Sequence, residues 1–483
     1  MGADTPDHMG KKPRTVKTDT KFRATSWSIR RKLFRNGLSI AGQTLPLALR
    51  KLAGEFKHLR SFLPHTVGHD FFGINVAPSP TRELEDLHMQ RLCELGITQV
   101  RTDYAYASNR ELTERWIHRL CAQGFDVLLH LVQPAEDASQ MERKAPQQRW
   151  GQFVESVLAR FEGKIRLAEI GSTPNRHSWS GYSIGDYVTA FSLAREIADQ
   201  RGVELIGPNV EDFAPYFLVA ILARLRRAGI RLPFVTDNLF VDRAGEPETF
   251  DPHVFRSWFM TIHRLDLVRK SYYLDLIGRA CAMGPPICTY TYWTINPKPW
   301  KSRPRYISEE QQANHLVRYF TYSAAAGHLR RVYWGQMSGF FKGIIDDGAR
   351  LRFDPPAVFQ RLLNDGAIED YRARPAFESF RVMVEQLRDT NFVRKRSSGQ
   401  SNAYVFEFEK RGHPFFVAWT KNGCQADFSA IVPKQEIVRM VDRDGKDMAP
   451  HGPITITEKP LYLYPATPNP AQPWSAAGVG ESS

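Results

Sequence analysis

Phe71-Phe72-Gly73-Ile74-Asn75-Val76-Ala77-Pro78 is an apolar run of strand length, and residues 84–95 after it repeat apolar side chains at helical spacing. The same couplet continues along the chain. Residues 98–106 precede 110–123, 126–134 precede 147–162, 165–171 precede 183–201, and 204–212 precede 214–228. Residues 234–240 then lead to 253–282, 286–293 to 308–326, and 331–337 to 375–389. Strands covered on both faces read as near-continuous apolar runs, the pattern of a parallel sheet wrapped in helices. Eight such units predict a (β/α)8 TIM barrel of the α/β class. An open doubly wound sheet carries a glycine-rich phosphate turn, and no GxGxxG or GxxxxGK[ST] follows any of these strands.

After Arg388 the period changes to short alternating runs at 404–409, 414–420, 426–432, 437–442, 454–457 and 461–464, broken by Gly412, Gly423 and Gly445. These predict a small antiparallel β-sandwich domain. The expected organisation is a basic, partly disordered N-terminal arm with an amphipathic helix over 1–65, the barrel over 66–390, the sandwich over 391–465 and a flexible tail over 466–483.

The 483 residues carry 65 Lys and Arg against 52 Asp and Glu, a surplus of +13. Fourteen of the basic residues and only four acids fall in 1–65, so the arm holds +10 and the rest of the chain +3. A folded body so near neutrality is not that of a nucleic-acid protein, and none is expected as a partner. Within the arm, Leu49, Leu52, Phe56, Leu59 and Leu63 form a stripe, with Arg50, Lys51, Lys57 and Arg60 off it. Such a segment docks on an anionic membrane surface or packs on the following domain; each Lys or Arg near such a surface contributes about 1 kcal/mol. The five cysteines include no CxxC pair, and no secretory leader or apolar run of membrane-spanning length is visible. Neither cofactor nor metal is expected. The expected location is cytoplasmic, peripheral at the inner face of the plasma membrane.

Several strand-end sequences resemble clan A glycoside hydrolases, family 39-like barrels in particular. They are Phe72-Gly73-Ile74-Asn75-Val76-Ala77-Pro78-Ser79, the run from Leu92 to Arg101-Thr102-Asp103, and Glu169-Ile170-Gly171-Ser172-Thr173-Pro174-Asn175 with Trp179-Ser180-Gly181. Gln311-Gln312-Ala313, Arg374-Pro375-Ala376-Phe377-Glu378-Ser379-Phe380 and Lys459-Pro460-Leu461-Tyr462 extend the resemblance over roughly residues 70–465. In such barrels an arginine on strand 2 sits beside the nucleophile, the acid/base is the Glu of an Asn-Glu-Pro triplet ending strand 4, and the nucleophile is a Glu ending strand 7. Here Thr173 stands at the acid/base position, and Tyr290 or Thr291 at the nucleophile position. A hydroxyl does not donate a proton near neutral pH as a tuned carboxylic acid does.

Asp237, Glu211 and Asp103 are the carboxylates that would have to rebuild an acid pair, while Asp212 is placed to cap the fifth helix. Glu169 reads as structural, and His130, His177 and His263 as hydrogen-bonding residues without metal spacing. The residues expected to bind substrate are Arg101, Asn175, Trp179, Asn209, Asn238, Tyr290, Trp293 and Trp334, since flat rings with polar tips suit sugars. The resemblance implies a carbohydrate-active protein, divergent or catalytically impaired, that handles an oligosaccharide or glycolipid in bacterial polysaccharide or lipopolysaccharide biosynthesis. An active glycosidase with relocated carboxylates, catalysing O-glycosyl hydrolysis or transfer, and a non-enzymatic scaffold remain open beside it.

Overall fold

The computed structural model describes residues 42, 61–239, 245–249, 265–295, 306–348, 362–396, 402–433, 436–450 and 452–466. The arm helix, Phe240, Asp242, Arg243, residues 253–264 with His263, Trp300 and the tail from 467 lie outside them.

Eight strands close a parallel barrel. They are β1 Phe72–Asn75, β2 Gln99–Ala105, β3 Asp126–Val132, β4 Leu167–Ile170, β5 Glu204–Glu211, β6 Val235–Asn238, β7 Pro286–Thr291 and β8 Arg331–Trp334. The ring shuts where β8 pairs with β1, Val332 against Phe72. Around it run α1 Arg82–Glu94, α2 Arg110–Ala122, α3 Lys144–Arg160, α4 Ile184–Gln200, α5 Pro215–Arg227, α6 Leu267–Ala280, α7 Glu309–Ala326 and α8 Pro375–Leu387. Local chemistry sets several of their starts. Ser183 and Ser308 form capping boxes with Asp186 and Gln311, and Pro215 and Pro375 open α5 and α8. Asp212 does not cap α5: the residue before that helix is Ala214, and no side chain caps it, while the Asp212 carboxylate lies near Arg176 and Lys270 instead.

The barrel interior is layered. Leu128, Leu167, Ile206, Ile287 and Tyr333 fill its lower half. Gly73 is required there, since a Cβ at that position would sit 2.5 Å from the Tyr333 ring. Above this plug the inward side chains turn polar toward the C-terminal ends of the strands, the end at which barrel sites form.

Beyond the barrel lies a seven-stranded sheet in the order His65–Val67, Thr390–Arg396, Ala403–Lys410, His413–Thr420, Leu461–Pro465, Ile437–Asp442, Asp447–Met448. Its first strand comes from the segment preceding the barrel, pairing antiparallel with Thr390–Arg396. Period-two alternation splits the sheet's faces: Tyr404, Phe406, Phe408 and Trp419 join the barrel's core, whereas Val405, Phe416 and Ala418 face a thin second layer. That layer differs from the expected strand over 426–432. Only Ala426–Asp427 is extended, paired with Thr455–Ile456, and Asp427 then caps the helical turn Phe428–Ile431. Barrel and sheet are joined through Arg318, which grips Glu248 and Glu246, and through Trp419, whose Nε1 donates to Glu248 Oε1 at 2.7 Å.

Candidate active site at the mouth of the barrel

Arg101 on β2 organises the polar layer. Its Nε donates to Glu169 Oε2 at 2.8 Å, Nη2 lies 2.7 Å from the same oxygen, and Nη1 donates to Asn75 Oδ1 at 2.8 Å and Asp103 Oδ1 at 2.9 Å. His130 on β3 faces two acceptors, with Nδ1 2.8 Å from Asp103 Oδ1 and Nε2 2.8 Å from the Gly171 carbonyl. Asn209 closes the far side: its Nδ2 donates to Glu169 Oε1 at 2.8 Å, and Asn238 Nδ2 donates to Asn209 Oδ1 at 3.0 Å. Thr289 on β7 donates to Glu169 Oε1 at 3.2 Å, and Asn75 Nδ2 ties β1 to the Thr289 and Trp334 carbonyls. Residues from seven strands thus share one network, and each is essentially without solvent exposure.

The electrostatics follow from this inventory. Burial pushes the Glu169 carboxyl up, but Arg101, His130, Asn209 and Thr236 outweigh it and hold the group below its ordinary 4.5. Arg101 is likewise driven up by Glu169 and Asp103 against the opposing effect of burial. Glu169 is therefore a fixed carboxylate. A group in that state accepts hydrogen bonds; it does not supply a proton.

The sequence candidates separate by which side of the barrel wall they occupy. Thr236 receives the Asn209 N–H at 2.8 Å and Asn238 joins the interior network, so Asp237 between them points outward toward the helices. There it faces Lys270 of α6, Tyr319 of α7 and the neighbouring Cys288. Burial, reinforced by Asp212 and Glu211, lifts its carboxyl well above the ordinary 3.8, while the Phe213 N–H and Lys270 oppose the rise. Asp237 is on the wrong side of the wall to pair with Asp103. Glu211 lies at the rim, 3.3 Å from Arg176 Nε, and Asn175 is spent holding it: Nδ2 donates to the Glu211 carbonyl and Oδ1 accepts its N–H.

At the strand ends singled out by the resemblance, Thr173 is buried with φ +43°, a conformation unusual for a β-branched residue, and its N–H donates to the Asn209 carbonyl at 3.1 Å. Tyr290 lies close enough to Arg101 to contribute to its raised pKa, whereas the Thr291 hydroxyl turns to the Leu239 carbonyl at 3.4 Å. Of the two, Tyr290 is the one directed to the network.

Trp293 and Trp334 do not offer open faces, contrary to expectation. Both are fully buried and stacked on each other, centroids 6.2 Å apart and planes 17° from parallel, with their indole N–H groups on the Gly245 and Lys342 carbonyls. They are wall, because a strand-end aromatic packs against its neighbour when the following loops fold over it. Trp179 is different: at 37 % exposure on the short helix His177–Ser180, it stands at the rim.

His130 is the hydrogen-bonding residue the sequence predicts, whereas three members of the mouth are not predicted, of which Asn75 and Thr289 sit at strand ends, the available signal. Lys342, from the loop after β8, places its ammonium 3.7 Å from the Tyr292 ring centroid and 5.7 Å from that of Tyr290; no periodicity marks it. Among the described residues no group of His, Cys, Asp and Glu is arranged to hold a metal, and no helix is long and apolar enough to cross a membrane.

No family model and no curated relative matches the chain. Solved structures do. A glucosidase from Croceicoccus marinus superimposes with a TM-score of 0.52 at 12% identity, over 83% of this chain and 96% of that one. A family 30 endoxylanase from Clostridium papyrosolvens gives 0.52 at 11% over 84% and 98%, and a family 39 β-xylosidase from Caulobacter crescentus 0.50 at 12% over 84% and 98%. At such identities the likeness is one of fold: a glycoside hydrolase-like barrel with an appended β-rich domain.

Proposed function

We propose that the protein is a glycoside hydrolase-like carbohydrate-binding barrel in which double-displacement chemistry is impaired, serving bacterial cell-surface polysaccharide or lipopolysaccharide assembly at the cytosolic face of the membrane. One observation carries the reading. The inward carboxylates, Asp103 and Glu169, both belong to the Arg101 guanidinium, while the ends of β4 and β7 present Thr173 and Tyr290. A retaining glycosidase needs a protonated acid and a free carboxylate about 5–5.5 Å apart. Glu169 is held below its ordinary range and engaged by Arg101, and Asp237, whose carboxyl burial pushes up, faces the helices. This weighs against a relocated acid pair. What the mouth retains is the recognition half of such a site: amides, hydroxyls and a rim tryptophan. The membrane placement is supported by the basic arm, fourteen Lys and Arg against four acids.

A glycan array with reducing-sugar release measured on every bound glycan tests this. Binding without turnover, weakened by Trp179→Ala, is the expected result. Hydrolysis at rates within the ordinary enzyme range of about 1–1000 per second would overturn the impaired-site reading. Flotation with anionic liposomes, with and without residues 1–60, tests the location; a chain that stays soluble at low salt in both forms refutes it.

A further inference from the structure

At the end of the barrel opposite the mouth, where the helices finish and the strands begin, arginines are paired with acids. Arg91 meets Glu94 at 2.8 Å, Arg160 meets Glu114 at 3.1 Å, Arg279 meets Asp275 at 2.9 Å, and Arg201 is held by Glu155 and Glu162. The connection from α5 to β6 departs from this. It carries Arg224, Arg226, Arg227 and Arg231, and no Asp or Glu occurs anywhere from Phe213 to Thr236. None of the four has an acid partner among the described residues, and Arg226, Arg227 and Arg231 are exposed. Burial and the neighbouring Arg227 both hold Arg224 below its ordinary value, so these charges are crowded together and not compensated. A helix C-terminus favours cations within its last turn, which accounts for Arg224 to Arg227 but not for Arg231 beyond it.

The basic stretch 1–60 meets the body beside this patch. Ser61 Oγ lies 2.6 Å from His328 Nε2 and His65 Nε2 lies 2.7 Å from the Ala324 carbonyl, both near the end of α7. His65, Asp275 and Pro285 line one cleft, and Arg226 donates to the Ala280 carbonyl at 3.5 Å, one residue beyond the Arg279 that holds Asp275. Asp70, the other acid of this sector, is taken by Arg330 and Arg331 at 2.6 and 3.1 Å. Leu63, 58 % exposed, and the half-buried Ile230 add apolar tips to the same end.

We infer that this end of the barrel is a docking surface for an anionic phospholipid bilayer, with Arg224, Arg226, Arg227 and Arg231 on the headgroup phosphates and the mouth turned away from the lipid. The inference rests on the membrane placement above and gives it a surface and an orientation. Guanidinium groups suit phosphates because they donate two parallel hydrogen bonds to a pair of oxygens. A nucleic acid fits the patch less well, since no aromatic residue between Phe217 and Phe234 offers a base a stacking face. In this orientation a glycan enters the mouth from water and not from within the bilayer.

Co-sedimentation of the full chain with vesicles of phosphatidylcholine alone and of equimolar phosphatidylcholine and phosphatidylglycerol, with amide hydrogen exchange followed on the bound protein, tests it. Binding to the phosphatidylglycerol vesicles alone is expected, with exchange slowed over residues 224–232 and unchanged over 176–182 at the mouth. Arg226→Gln combined with Arg227→Gln weakens partitioning about 10- to 30-fold, at about 5-fold per cation, whereas Arg226→Lys with Arg227→Lys retains it. Undiminished binding of the glutamine variant, or unaltered exchange over 224–232, overturns the inference while leaving attachment through the arm intact. Failure of the unmodified chain to bind phosphatidylglycerol vesicles at low salt overturns the membrane placement itself. Retention on single-stranded RNA that requires the same arginines, without vesicle binding, overturns the inference in favour of a nucleic-acid partner.

Discussion

Arg101→Met tests whether the mouth is the charge network described. Methionine keeps the length and removes the guanidinium that both Glu169 and Asp103 share, leaving Glu169 to neutral donors such as Asn209 and Thr289. Breaking a fully buried ion pair from one side costs about 3–5 kcal/mol. The cost depends on pH in a direction the structure fixes. In the native protein the Glu169 pKa is depressed below 4.5, so its contribution is complete above 4.5 and lost as pH falls through the folded-state value. Without Arg101 the burial effect is left dominant and the folded pKa rises above 4.5. The variant then loses stability as pH rises from 4.5 through that new value, at about 1.4 kcal/mol per pH unit per proton. The gap between the two proteins should therefore be about 3–5 kcal/mol at pH 8 and smaller at pH 5. Urea unfolding followed by tryptophan fluorescence at the two pH values measures it, and adding Glu169→Gln to the variant should recover part of the loss at pH 8. A loss below about 1 kcal/mol at pH 8, or one equal at both pH values, refutes the network as the source of the stability.

Two further outcomes follow from the geometry. Asp237, with its pKa raised above 3.8, makes the native fold less stable as pH rises through the range between its unfolded and folded values; Asp237→Asn should flatten that slope in thermal unfolding between pH 4 and 8 without changing glycan affinity, and a lost affinity would place the residue in the mouth after all. Gly181 ends the Trp179 helix at φ +76°, where a Cβ would lie 2.0 Å from the Ala135 carbonyl oxygen, so Gly181→Ala should lower glycan affinity as much as Trp179→Ala while also reducing Tm; an unchanged affinity would show that Trp179 does not contact the ligand.

Much of the architecture is written locally. The run from Phe71 to Pro78 and its successors mark the strands to within a few residues, because a two-sided burial pattern and the 3.6-residue period are properties of short segments. The thin layer of the sandwich escaped because Asp427 has a local cap to offer, and that cap favours a helical turn over the extended form suggested by its apolar neighbours. The first strand of the sheet, His65–Val67, escaped because its partner lies more than three hundred residues away, and strand pairing at that separation leaves no local trace.

The sequence by itself determined that eight strand–helix couplets close a barrel, that Thr173 follows β4 and Tyr290 or Thr291 stands at the end of β7, and that the surplus positive charge lies in residues 1–65. Closure decided the rest. Successive strand residues face opposite sides of the wall, so a single position separates Asn238 inside from Asp237 outside. Which charges neutralise one another, such as Arg101 with Glu169 across two strands, depends on distances that exist only when the ring is shut. Charge interactions depend on separation in space and on local dielectric, and neither is a function of separation along the chain.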